Sequence, residues 1–262
     1  MAKKTPGTEV AVAKKTSVGA PSDWRAELSQ YAAKTVKMEE SMQTGNRIST
    51  RGGRLSYHDT PLKNNEMTVI VLAALIENVY YPGKFDPDKP ASPICFAFST
   101  DGEEMAPHEK AHEPQNGTCA GCPHDEWGSS DTGKGKACKN GRRIAVMAME
   151  DVSVDAIDHG EIAQLNIPVM SVRGYSAYVK DLAMSAGLPA FAWQTRIWLE
   201  ADPKSQFRVC FQAVDKKPIP EKFYPAILRR VKEAEKLIDQ PYVFVEQTEA
   251  PAKKKPAGKK KR

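Results

Sequence analysis

Four of the five cysteines in this 262-residue chain fall within 44 positions of one another, and their spacing limits what that stretch can become. Cys119 and Cys122 are separated only by Ala120 and Gly121; fifteen residues then lead to Cys138, and twenty-three separate Cys95 from Cys119. A C-x₂-C turn points two sulfurs at one face of a tetrahedral ion, and two further donors must complete the shell. Cys138 and Cys95 are the candidates, with His108, His112 and His124 competing for the Cys95 corner. The residues between are rich in Gly, Pro, Ser and charged types, with almost no large apolar ones. Such a segment cannot fold on hydrophobic burial, so an ion is its natural organiser. One structural Zn²⁺ held by Cys95, Cys119, Cys122 and Cys138 is the expectation. An iron–sulfur cluster and a set of free thiols are the alternatives. Four protein donors leave no open position for water, which makes the ion structural rather than catalytic. Cys210, isolated in sequence, reads as an ordinary sheet residue. An odd, clustered cysteine count argues against a disulfide framework and for an intracellular metal site.

The net charge of +5 is unevenly spread. Residues 1–22 carry +3 and residues 248–262 carry +6, which leaves −4 for residues 23–247. Both ends are short of large apolar groups, so they are expected to be disordered basic tails. A Lys-rich tail attracts any polyanion by counterion release, and it also suits a localisation signal or a solubility tail. The body then reads as one β-rich domain over 23–247, with a zinc-binding insertion at about 94–143. No run of roughly eighteen apolar residues occurs, so no spanning helix or membrane partner is expected. The first residues, Met1-Ala2-Lys3-Lys4-Thr5, lack the apolar core of a secretory signal, and a cytoplasmic setting is expected.

Within the body, Trp24, Leu28, Tyr31, Thr35, Met38 and Met42 recur at spacings of three and four, predicting a helix from Ser22 to Met42. Arg47 to Tyr57 holds a Gly-Gly turn and three arginines, which fits a hairpin with a basic rim. Met67 to Tyr81 is a β-branched-rich apolar run, long enough for a buried strand running into a second one, or for a helix. Ile94–Phe98, Arg142–Met149 and Ile162–Met170 read as strands. Ser171 is expected to cap a helix that stops at Gly187. Phe191, Trp193, Thr195, Ile197 and Leu199 alternate along one strand, and Phe207, Val209, Phe211 and Ala213 along the next, so this sheet buries one face. A final amphipathic helix over Pro220–Asp239 and a last strand over 242–245 complete an α+β fold with a mostly antiparallel sheet or small barrel.

Two motifs are decoys. His108-Glu109-Lys110-Ala111-His112 spells H-E-x-x-H, but the chemistry needs that pattern on a stable helix. Pro107 and Pro114 bracket it, and no apolar stripe supports a helix. Gly128-x₄-Gly133-Lys134 resembles a phosphate loop, yet Gly135 stands where Ser or Thr should hold magnesium, and no strand precedes it.

The cationic and aromatic residues are more informative. Lys134, Lys136, Lys139, Arg142 and Arg143 crowd around Cys138 with no acid among them, and Arg47, Arg51 and Arg54 form a second group. On the outward side of the hairpin, Arg196 and Trp198 alternate with the buried set, so Trp198 is either exposed for base stacking or covered by the final helix. Tyr57, Tyr80 and Trp127 are further stacking candidates.

Pro93-Ile94-Cys95-Phe96, Ser99-Thr100-Asp101-Gly102, Cys119-x₂-Cys122-Pro123, Trp127-Gly128-Ser129 and Gly133-Lys134-Gly135-Lys136-Ala137-Cys138-Lys139 together resemble a family of bacteriophage-type proteins. Its members carry a four-cysteine zinc insertion in a β-rich body and are similar in plan to phage single-stranded-DNA-binding proteins. The resemblance covers about residues 65–215. It implies an OB-like barrel with a zinc-stabilised flap, the four cysteines as ligands, and a non-enzymatic role in phage DNA replication or recombination in the host cytoplasm. Single-stranded DNA and replication or recombination proteins would be its partners, with self-association open. One departure stands out. Such binders often end in an acidic tail that recruits partners, whereas this chain ends in Lys and Arg. The rival readings are a zinc-ribbon adaptor for a polymerase or other protein, and a metallohydrolase using His108, Glu109 and His112.

Overall fold

The computed structural model describes residues 28–29, 31, 46–83 and 91–242. The chain divides into two compact units, Met1–Thr44 and Gly45–Arg262, so residues 23–44 belong with the first. Of that unit, Leu28, Ser29 and Tyr31 are described and are helical. The rest of the helix expected over 22–42, both basic tails, and positions 243–245 of the expected last strand lie outside the described residues.

The described part of the second unit runs β1 (Arg47–Ser49), β2 (Ser56–Tyr57), β3 (Thr60–Pro61), β4 (Glu66–Tyr80), β5 (Cys95–Ser99), β6 (Lys139–Ala148), α1 (Val154–His159), β7 (Ile162–Ile167), α2 (Val169–Ala186), β8 (Gln194–Asp202), β9 (Gln206–Ala213) and α3 (Tyr224–Ile238). All strands join one sheet in the order β3-β2-β1-β7-β6-β4-β8-β9, with β5 also paired to β4. The β1–β7 pairing is parallel and the others are antiparallel. The class is therefore α+β with a curled, mostly antiparallel mixed sheet.

The curl originates in β4. Val69, Ile70, Val71, Ile76 and Val79 favour extended backbone, because a branched Cβ packs well on a pleated surface. One edge of β4 pairs with β6 through most of its length. The other edge pairs with β8 over Glu66–Ile70 and with β5 over Ile76–Tyr80. A strand that serves two partners along one edge must bend between them. The bend falls where Val71 faces Val146 and Ala73 faces Ala145, leaving Leu72 as the extra residue of a bulge. Both faces of β4 are covered, which explains why the run looks uniformly apolar rather than alternating. Ile70, Leu72 and Leu75 pack with Met147 under Ile227 and Val231 of α3. Val69 and Val71 pack with Ile144, Val146 and Ile197 under Tyr175 of α2.

The helices follow the expected stripes with one difference. Ile227, Val231, Ala234 and Ile238 form the buried side of α3. Gly187 stops α2 in the left-handed conformation at φ 65°, its N–H donating to the Ala183 carbonyl. Ser171, however, does not cap α2. The helix begins at Val169 behind Pro168, without a side-chain cap. Ser171 is buried within it, and its Oγ accepts from the Val209 N–H of β9 at 2.9 Å. The serine closes the outer edge of a strand instead of the end of a helix. Among the described residues, no helix is long and apolar enough to cross a membrane.

Candidate metal cavity and basic groove

The strand pairing that bends β4 also gathers the cysteines. Cys95 opens β5 opposite Tyr80, and Cys138 directly precedes β6, whose Lys139 stands opposite Val79. The last turn of β4 thus holds one cysteine on each flank. The loop between β5 and β6 brings in the other two. The Cys119 N–H donates to the Met105 carbonyl at 2.7 Å, and the Cys122 N–H to the Cys119 carbonyl at 3.2 Å. Gly121 sits in that turn at φ 73°, the left-handed value that the third residue of a type II turn requires. The Cys138 N–H donates to the His124 carbonyl at 2.8 Å, which stitches the far end of the loop to the C-x₂-C turn.

All four cysteines line a single cavity of about 20 Å³, together with Asn78, Tyr80, His124 and Asp125. That is room for about one atom the size of a water or a metal ion. None of the four forms a disulfide. Burial pushes the Cys95 and Cys119 thiols up, and it pushes Cys138 up to about 12, with the Asp125 carboxylate and then the neighbouring sulfurs adding to the rise. The sulfurs are close enough to oppose one another's ionisation, while hydrogen bonds from Gln115 to Cys95 and from Asn78 to Cys119 act the other way. Among the described residues, no three His, Cys, Asp or Glu side chains form a ready-made metal-holding group; what the cysteines share is the cavity. Cysteine sulfur is one of the donor types that Zn²⁺ takes.

The histidines that compete for the Cys95 corner are placed differently. His124 lines the cavity and stacks on Tyr80, ring centres 4.1 Å apart. His108 stacks on Phe96 at 5.1 Å, and its Nδ1 accepts from the Lys110 N–H at 3.0 Å. The H-E-x-x-H stretch is a turn rather than a helix, so its imidazoles do not share a helical face.

On the other side of Cys138 lies a groove of about 620 Å³, walled by the cysteine loop, the start of α2 and the start of β9. Its residues include Trp127, Lys134, Lys136, Lys139, Met170 and Phe207, and no acidic side chain lines it. Trp127 is 82% exposed. Its ring rests against Gly135, where an added Cβ would stand 4.0 Å away. Two lysines are oriented from below: Lys136 Nζ pairs with Asp125 at 3.0 Å, and Lys139 Nζ donates to the Lys136 carbonyl at 3.0 Å. Comparison with family models, curated proteins and solved structures finds no match.

The remaining cationic and aromatic candidates separate into four sets. Arg51 and Arg54 are exposed on the β1–β2 turn, and Gly53 between them packs on Phe207. The turn therefore meets the groove at its Phe207 end, joining two basic groups that are about 80 residues apart in sequence. Arg47 is exposed, its guanidinium 5.6 Å from the Tyr242 ring, and Arg142 donates to the Gly141 carbonyl at 2.9 Å. Tyr57 donates to Glu161 at 2.8 Å. Arg196 is ion-paired with Glu66 and lies 5.0 Å over the half-buried Trp198, whose indole N–H donates to Glu200 at 2.8 Å.

Arg143 requires a correction. It is 0% exposed and cannot touch a ligand from where it lies. Its Nη2 and Nε bind the Glu77 carboxylate at 2.5 and 3.0 Å, and its Nη1 donates to the Ile238 and Gln240 carbonyls at 3.0 and 2.6 Å. Phe98 lies 4.3 Å over the guanidinium. Glu77 also accepts from Tyr242 at 2.8 Å and Asn166 at 3.1 Å. The side chain is an internal clamp joining the end of α3 to the sheet. Sequence placed it among surface cations because its partner Glu77 is a single acid inside an apolar run. Met170 and Phe207 were missed as groove residues for the opposite reason: apolar side chains in strands and helices read as core.

Proposed function

We propose that this chain is a non-enzymatic single-stranded-DNA-binding protein of the bacteriophage type, acting in DNA replication or recombination. In this reading, the curled sheet serves as an OB-like platform, and one structural Zn²⁺ is held by Cys95, Cys119, Cys122 and Cys138. The observation that carries it is the position of Cys138, which lines both the ion-sized cavity and the basic groove. The ion would supply a rigid cross-link and no reaction chemistry. The chain's own residues do the binding: Lys134 approaches the groove from a loop that has no hydrophobic core of its own and Lys139 from the first position of β6, just past Cys138, so fixing that loop fixes the charge. Arg51 and Arg54 extend the positive surface past Phe207. The basic C-terminal tail adds attraction for any polyanion without selecting unpaired strands.

Titration of labelled single- and double-stranded oligonucleotides across a salt series tests this. Three to five phosphate contacts give a log–log salt slope of about −2 to −3.5 on single strands, with single strands preferred. Binding to neither form in low salt ends the proposal. Capture of a protein partner by chain that binds no DNA favours the adaptor reading instead.

A further inference from the structure

The groove beside Cys138 differs from a merely basic surface in one respect: its charges stand next to uncovered apolar side chains. Trp127 is 82% exposed, Met170 is 52% exposed, and the half-buried Phe207 lies in the same concavity. Water-exposed apolar side chains grouped in a cleft mark a place where something binds. The volume, about 620 Å³, is within the roughly 300–1,000 Å³ of small-ligand sites. That suits a nucleotide or a short dinucleotide step. The three lysines and the absence of lining acid select an anion. An occupant both flat and anionic satisfies the two features together, because a base offers a π-face to an aromatic ring and its phosphate offers charge to an ammonium.

We infer that this groove is the subsite where unpaired bases are stacked, with a base on Trp127, the Met170–Phe207 wall opposite, and the flanking phosphates at Lys134 and Lys139. The inference rests on the single-strand reading above and names where on the molecule the strand lies. Lys134 and Lys139 are exposed and make no ion pair with an acidic side chain among the described residues. Lys136, held by Asp125, lies under the track. Trp127 is kept in place by loop geometry rather than by burial: the Gly128 N–H donates to the Gly135 carbonyl at 2.8 Å, and the ring rests on Gly135. From Phe207 the strand would continue over the Arg51–Arg54 turn. The hairpin pair Arg196 and Trp198, engaged by Glu66 and Glu200, would stay outside it.

The test uses the full chain and an oligo-thymidine of about fifteen nucleotides. Trp127→Ala should weaken binding about 5- to 150-fold, and Trp127→Tyr should recover most of it, since a smaller aromatic still stacks. Lys134→Gln with Lys139→Gln should lower the salt slope by about 1.4. Tryptophan emission should be quenched on adding the oligonucleotide, with the quench lost in Trp127→Phe. All these side chains are exposed, so thermal unfolding should match the parent and serves as the control. Variants that bind like the parent overturn the groove assignment while leaving single-strand binding intact. A parent that binds no strand overturns both. Equal quenching by duplex and single strand overturns the stacking subsite.

Discussion

Replacing Arg143 by Met separates the clamp from a surface role most sharply. The guanidinium satisfies a fully buried carboxylate and two carbonyls at the end of α3, and it does so with no access to water. Removing one partner of a buried ion pair costs about 3–5 kcal/mol, because the remaining charge loses its compensation. Tyr242 and Asn166 still donate to Glu77, which places the expected loss toward the lower half of that range. A domain of this size has an unfolding free energy of about 5–15 kcal/mol and a urea dependence near 3 kcal/mol per molar. The urea midpoint, followed by far-ultraviolet circular dichroism, should therefore fall by about 1 M. Adding Glu77→Leu removes the orphaned charge, and the double variant should recover at least about 1 kcal/mol of the loss. Below its unfolding transition, Arg143→Met should keep the parent's affinity and salt slope for single strands. A midpoint shift under about 0.3 M, or a folded variant with a reduced salt slope, would refute the internal assignment of Arg143.

Three further outcomes are expected. Elemental analysis of purified chain should give about one zinc per molecule, reduced in Cys138→Ser, and a strong chelator should remove the preference for single over double strands while leaving most sheet signal; metal-free chain that keeps the parent's preference would contradict the cross-link. Ser171→Ala should cost about 1–3 kcal/mol by leaving the Val209 N–H without its acceptor, read as a fall in thermal midpoint, whereas a true helix-cap serine would be rescued by Asp. Glu161 is held below its ordinary carboxylate value, first by the Tyr57 hydroxyl and then by His58. Its contribution is therefore present above about pH 4.5 and lost as pH falls through the lowered value. The thermal gap between parent and Glu161→Gln should close in acid and not exceed about 1 kcal/mol at this exposed site.

How far the sequence discloses this molecule depends on whether a residue's signal is local. The β8–β9 hairpin is legible because Ile197, Leu199, Val209 and Phe211 repeat at period two and face one core. The α3 stripe and the Gly187 stop are legible for the same reason. The cysteine set is legible as spacing, and the strand pairings of β4 explain why four positions spread over 44 residues converge on one cavity. What stays hidden is whatever depends on a distant partner. Arg143 looks like Arg142 until Glu77 is found two pairing positions along β4. Ser171 looks like a cap until β9 is laid beside it. The groove is a meeting of three segments, and nothing in Trp127, Met170 or Phe207 taken singly announces it.

The surplus residue in β4 carries a consequence for insertions and deletions. Leu72 is unmatched on β6, so excising it would restore regular alternation and leave Ile70, Leu75 and Glu77 pointing where they already point. The strand would straighten, and β5 and β8 would compete for one line. Excision of a paired position upstream, such as Thr68, would instead invert the register of everything before it and turn the wrong side chains toward each helix. Of all places in that strand, the bend is the one where losing a residue alters shape and spares orientation.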